Sequence, residues 1–180
     1  MLEDEAIRLR PVRDEDWPTI ERWASTRSSL WGPFQRHQLD NLPAIRDVYR
    51  RTGLLSRQGA LLIIEPLTDP RPVGFVRYAL QAYPDEDYPC ADIGFGLAEP
   101  GSRGKGYTTR AVRLLLAYLH AGYATPRVSA VTDIDNDVAQ HVLEGAGFHR
   151  EGVLRAATFR DGEWHDLAVY AAIRERMPAG

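Results

Sequence analysis

The stretch ADIGFGLAEPGSRGKGYTTR, residues 91–110, decides how this chain folds. Its opening residues alternate: Ile93, Phe95 and Leu97 fall on one face of a strand, and Asp92, Gly94 and Gly96 on the other. Glycine weakens a strand and often marks where a backbone or a ligand comes close. The end of the stretch opens a helix, because Ala111, Leu114, Leu115, Tyr118 and Leu119 recur at i, i+3, i+4, i+7 and i+8. Between strand and helix lie three glycines and the bases Arg103, Lys105 and Arg110. A helix N-terminus carries partial positive charge, so each base there costs about 0.3–1 kcal/mol. Either this helix is poorly capped, its bases lying solvated on an exposed face, or the missing negative charge belongs to a ligand.

Outward from this stretch, RVSAVT (127–132) is the next strand. Strand, helix and strand in succession demand a parallel crossover. The other neighbours pair as hairpins. AIRLRPV (6–12) alternates as a first strand. DEDWPTIERWAS follows as a helix, with Asp14 expected as its cap. A second helix is predicted over 43–51, stopped at Gly53, with the Gly-Pro of LWGPFQRH (30–37) breaking the chain between the two. GALLIIEP (59–66) and VGFVRYALQAY (73–83) form a hairpin. Asp135 or Asn136 caps a helix carrying Val138, Ala139, Val142 and Leu143. FHREGVLRAATF and EWHDLAVYAAI close the chain as a hairpin across Asp161-Gly162. The order βααβββαβαββ predicts one mixed α/β sheet of about seven mostly antiparallel strands, with helices on both faces.

A chain of 180 residues fits a single domain, taken as 1–180. Its 44% hydrophobic and 26% charged residues are ordinary for a globular protein. Cys90 is the sole cysteine, which excludes an internal disulfide and a multi-cysteine zinc site. The five histidines show no metal-ligand spacing, so no metal is expected. A net charge of −3 argues against general affinity for nucleic acid. No apolar run approaches the roughly 20 residues that span a bilayer, and the acidic start MLEDEAIRLR has no apolar core of a secretory signal. The expected location is cytoplasmic, as monomer or homodimer. Charge is unevenly spread: no acid occurs from Pro100 to Thr132, and the 22 basic residues include one lysine, Lys105.

Two phosphate fingerprints fail in the loop. A P-loop needs lysine directly after its second glycine, where Tyr107 follows Gly106. The dinucleotide pattern needs glycine at Thr109 and normally follows a first strand. What fits is R-x-x-G-x-G/A, with Arg103, Gly106 and Thr108 at the defined positions. That motif resembles the acyl-CoA loop of the GNAT superfamily of N-acyltransferases. The likeness is greatest to the branch of bacterial ribosomal-protein N-terminal acetylases (Rim-type) and related small-amine acetylases. IRLRPVRDEDWPTI resembles that branch's first strand and helix, DIDNDVAQHVLEGAGFHREGVLR its N-x-x-[SA]…GF…EG…R segment, and DGEWHDLAVYAAI its closing strand. Four motifs in order cover nearly the whole chain. Thr108 departs from the usual Gly or Ala, and its hydroxyl can itself meet phosphate. The helix tyrosine that protonates the leaving thiolate in many GNAT enzymes is replaced by Leu143.

The resemblance implies an acyl-CoA-dependent N-acetyltransferase using acetyl-CoA, with a peptide, protein N-terminus or small molecule as amine acceptor. Amides of Gly104, Lys105, Gly106, Tyr107 and Thr108 would hold the pyrophosphate, helped by the helix dipole. Arg103, Lys105, Arg110 or Arg113 would meet the outlying phosphates. Gly96, Leu97 and Ala98 would run along the pantetheine arm, with a backbone N–H, such as that of Leu97, polarising the thioester carbonyl. Asn136 would reach the arm, or simply cap its helix. Asp92 is the candidate base, or else a structural carboxylate; Asp133 and Asp135 are weaker candidates. Substrate walls are expected from Trp31 and Phe34, or these are core fillers, and from Phe159 and Trp164. The competing expectations are a non-catalytic acyl-CoA-binding module, and a transferase or decarboxylase of another acyl-CoA.

Overall fold

One eight-stranded sheet organises the computed structural model, in the order β1-β2-β3-β4-β5-β6-β8-β7. The structure describes residues 2–25, 34, 41–82, 90–123 and 125–174. The strands are β1 (Leu2–Glu3), β2 (Ile7–Pro11), β3 (Gly59–Pro66), β4 (Gly74–Gln81), β5 (Cys90–Leu97), β6 (Arg127–Asp133), β7 (His149–Arg160) and β8 (Glu163–Ile173). The helices are α1 (Trp17–Ser25), α2 (Leu42–Thr52), α3 (Tyr107–Gly122) and α4 (Asp137–Gly145). The strand beyond the seven expected is β1, two residues long and paired to β2. Every pairing is antiparallel except β5 with β6, which is the crossover carried by α3. No helix among the described residues is long and apolar enough to cross a membrane.

The strand alternation sorts the core into two layers. Val76, Tyr78, Ala91, Ile93, Val128, Ala130 and Tyr170 turn to one face, where Ala111, Val112, Leu115 and Leu119 of α3 and Leu143 of α4 pack on them. Ile63 and Ala98 join Val12 and Trp23 on the other face, with Ile20 of α1 and Tyr49 of α2 against them. Fully burying an aliphatic or aromatic side chain contributes about 1.5–3 kcal/mol. The larger α3 cluster therefore contributes most of the described core.

Local signals mostly act as the sequence suggests. Gly53 ends α2 in the left-handed conformation, and Asp161-Gly162 turns the last hairpin with both residues at positive φ. The start of α1 differs. Asp14 does not cap it; residues Asp14–Asp16 form a 3-10 turn ahead of α1, and Asp16 reaches back to accept the Arg13 N–H at 2.8 Å. The same carboxylate takes Arg10 through two bonds of 2.7 and 2.9 Å, while Arg10 Nε donates to Glu65 at 2.6 Å. This buried cluster ties β2, β3 and α1 together, and alternation alone did not reveal it.

Candidate acyl-donor site

β5 and β6 run side by side only briefly. They pair at Ala91↔Val128 and Asp92↔Ser129 and no further, although β5 continues to Leu97 and β6 to Asp133. The antiparallel register on the other side of β5 shows which backbone groups enter the gap. The Ala98 N–H donates to Val73 O at 2.9 Å, so 98/73 is a hydrogen-bonded pair. Bonded and non-bonded pairs alternate along an antiparallel ladder. Gly96 opposite Phe75 is then bonded to β4, while Leu97 opposite Gly74 and Phe95 opposite Val76 turn their N–H and C=O towards β6. Of the expected trio, Leu97 faces the gap; Gly96 and Ala98 are committed to β4 and its approach. Phe95 is the residue missed. The same period of two that selects Leu97 selects it.

Beyond Leu97 the chain turns through a short 3-10 segment, Pro100–Ser102, and enters α3 at Gly106. Gly104 and Gly106 both have φ of +74°, a left-handed conformation natural to glycine. A Cβ added at either would meet nothing within 4 Å, so the space in front of the loop is open. No side chain caps α3. Its first return bond runs from the Arg110 N–H to Gly106 O at 3.1 Å, and among the described residues the amides of Gly104 to Thr109 meet no protein acceptor. Free amides at a helix N-terminus form an anion site in both geometry and charge.

The four bases divide. Arg103 and Lys105 are exposed and make no ion pair among the described residues. Arg110 is drawn back to Asp4 and Glu5, at 2.9 and 2.5 Å, and holds the Glu5 carboxyl below the usual range chiefly by that hydrogen bond. Arg113 donates to Gly145 O of α4 at 2.9 and 2.5 Å. Two of the expected phosphate ligands are therefore already used to seat α3.

Asp92 lies half-buried where the gap opens, and burial pushes its carboxyl above the ordinary aspartate value while the Arg77 charge pulls back. Asn136 caps α4, its side-chain oxygen accepting the Ala139 N–H at 3.1 Å. Its amide nitrogen has no partner among the described residues. Leu143 is fully buried in the core, so no acid stands at that position. Glu99 links α1 to the loop, accepting from Arg22 at 2.6 Å and Trp23 Nε1 at 2.8 Å.

Trp31 lies outside the described residues. Phe34 sits under the Arg160 guanidinium, 5.2 Å from ring centroid to Cζ, and Arg160 is ion-paired with buried Asp133 at the end of β6. Phe159 and Trp164 stack edge-on at 5.4 Å and are 54% and 65% exposed. Alternation along β8 sets Trp164 on the face opposite His165, and His165 contacts Arg160 at 3.2 Å. The aromatic pair therefore turns away from Phe34 rather than completing a wall with it. Ligand atoms of Asp133, Asp135 and His165 do converge within 4.8 Å, which sequence spacing gave no hint of. Arg160 pairs with Asp133 there and contacts His165.

The parallel crossover and the bare glycine loop at its helix start are as expected from the sequence. The family described as acetyltransferase (GNAT) domain matches residues 6–149. The chain belongs to that family. It is an acyl-CoA-dependent GNAT N-acetyltransferase, transferring acetyl to an amine. Among its relatives, an uncharacterized N-acetyltransferase, YoaA of Bacillus subtilis, is 28% identical over 181 residues, covering 98% of each chain. The putative ribosomal N-acetyltransferase YdaF of the same organism is 32% identical over 84 residues, 47% of this chain and 45% of that protein, which carries the Rim-type likeness. A spermidine N-acetyltransferase from Vibrio cholerae, solved with CoA and spermine, superposes with a TM-score of 0.77 at 18% identity, covering 95% of this GNAT chain and 97% of its own. That last likeness concerns the fold.

Proposed function

We propose that this enzyme moves acetyl from acetyl-CoA directly to the neutral amine of a peptide or small molecule, both substrates being bound at once and no acyl-enzyme forming. The observation that carries the reading is the separation of β5 from β6 just after Asp92, next to the uncapped start of α3. Acetyl-CoA, as co-substrate, supplies the acetyl group as a thioester already activated for attack.

The residues present fit it. The amides of Gly104 to Thr108 donate to the pyrophosphate, with the α3 dipole adding to their pull. Arg103 and Lys105 are free to pair with outlying phosphate. The backbone of Phe95 and Leu97 offers strand-like hydrogen bonds to the peptide-like arm, and Asn136 offers its amide nitrogen from the other side of the gap. The Leu97 N–H polarises the carbonyl oxygen and takes up the charge that develops there; one such donor is worth about 2.7–4 kcal/mol in other acyl-transfer enzymes.

An α-amine has a pKa of about 7.7–8.0 and a lysine-like amine about 10.4, so a proton must leave before attack. Asp92 is placed to accept it, directly or through water, and burial raises its basicity towards the range that task needs. The sulfur leaves without a protein acid, since Leu143 is apolar and buried. Incubation with acetyl-CoA and a panel of amines, following thiol release and the acetylated product, tests the reading. Tight CoA binding with no release for any amine would leave only a binding module.

A further inference from the structure

The face of β5 that carries Asp92 also carries a cation without an ion pair among the described residues. Arg77 lies on β4 opposite Gly94 of β5. A Cβ at Gly94 would stand 2.8 Å from Arg77 Nε, 3.2 Å from Cζ and 3.3 Å from Nη2. The guanidinium therefore lies over the place where a side chain would be, and a larger residue at 94 would push it aside. Leu61 is the register partner on its other side, and Phe75 and Ala79 share its face along β4. Among the described residues Arg77 has no hydrogen bond or ion pair, though it is exposed. Its charge acts on the Asp92 carboxylate without bonding to it. Arg10, Arg127 and Arg160 of the sheet are each paired with an acid; Arg150 and Arg155 of β7 share the unpaired, exposed state of Arg77 among the described residues, but neither lies beside Asp92.

An exposed arginine over Gly94, beside the candidate base and without an ion pair among the described residues, is suited to a carboxylate. We infer that the acceptor is an amine that itself carries a carboxylate, such as an amino acid or a peptide with an acidic residue near its N-terminus, and that Arg77 is the residue that selects it. The inference rests on the acetyl-transfer reading above. The face then offers two opposite charges, Asp92 to the amine and Arg77 to the acid, on diagonal positions whose β-carbons stand about 7–8 Å apart in a sheet. A polyamine presents a second positive charge to Arg77 and is disfavoured by like-charge contact.

The test uses the full chain with acetyl-CoA and the ω-amino acids from glycine to 6-aminohexanoate, each against its own carboxamide, with spermidine as the cationic probe. The wild type should prefer at least one acid over its amide by about tenfold or more in kcat/KM, the size of a charge-assisted contact. Arg77→Gln should bring that ratio close to one, and Arg77→Lys should restore part of it. Gly94→Ala, which displaces the guanidinium without removing it, should lower the ratio as well. As a reading independent of turnover, the Arg77 Nε–H resonance of the CoA-bound protein should shift with the preferred acid and stay put with its amide. Equal use of acid and amide, preference for spermidine, or a ratio untouched by Arg77→Gln would overturn the inference, as would an Nε–H signal indifferent to every acid. Loss of CoA binding in calorimetry would instead indict the donor-site reading beneath it.

Discussion

Replacing Gly106 separates backbone strain from phosphate recognition. At φ +74° any L-residue occupies the left-handed region, at a cost of about 1–2 kcal/mol. A new Cβ there touches nothing within 4 Å, so no steric term adds to it. For a chain of this size 1 kcal/mol lowers Tm by about 2–4 °C, so Gly106→Gln and Gly106→Glu should both melt about 2–8 °C below wild type. They share shape and strain and differ in one charge. A carboxylate about 5 Å from a phosphate charge is repelled by about 1 kcal/mol at the dielectric of water and about 3 kcal/mol at an effective value of 20. Gly106→Glu should therefore bind CoA about five- to 150-fold more weakly than Gly106→Gln. The loop is exposed, so the smaller end is expected at physiological salt, and 1 M salt should narrow the gap because the Debye length falls to about 3 Å. Calorimetric titration with CoA, alongside a melting curve for each variant, gives both numbers. Equal affinities for the two variants, both matching wild type, would refute the idea that this loop holds phosphate.

Asp92→Asn should lower kcat by about 10²-fold or more, the usual contribution of a positioned base, with CoA affinity unchanged in calorimetry. Because burial raises the Asp92 pKa, wild-type kcat should climb with pH on a limb above the ordinary aspartate range, and Asp92→Asn should lack that limb. Burial acts on Glu99 in the same upward sense, but the bonds from Trp23 and Arg22 outweigh it and leave its carboxyl below the usual glutamate value. Its stabilising contribution is thus complete above the unfolded glutamate range and disappears as pH falls through the lowered folded value. Urea melts should show Glu99→Gln less stable than wild type at pH 7 and the two converging in strong acid. Arg10→Ala leaves Asp16 buried without a counter-ion and Glu65 with only the 3.7 Å contact to Arg8, so it should cost about 3–5 kcal/mol of unfolding free energy in the same assay.

How much of this was legible beforehand follows from the range over which each signal acts. The strand alternation, the Asp161-Gly162 turn and the α3 pattern are local, and each element formed close to where its residues implied. The loop was legible for the same reason, since Gly104 and Gly106 announce a backbone that other residues rarely adopt. Arg10, Asp16 and Glu65 could not be joined in advance, because their contact depends on β2 pairing with β3 across 55 positions. Arg110 and Arg113 looked equivalent to Arg103 and Lys105, and only the packing of α3 on β1 and α4 distinguishes them. Phe95 was one alternation step from Leu97, and what hid it was the hydrogen-bond phase of β4 against β5, which the Ala98 to Val73 bond fixes. Phe159 and Trp164 of the last hairpin were expected as substrate walls, whereas the parity of β8 sets them on the face opposite His165 and Arg160.

Amide resonances of the nitrogen-15-labelled chain, followed during titration with CoA, test the donor site residue by residue. Lys105, Gly106, Tyr107 and Thr108 should shift together with Phe95 and Leu97, while Ala98, whose N–H is held by Val73, moves little. Shifts confined to another surface, or Ala98 moving with Phe95 and Leu97 silent, would contradict the account.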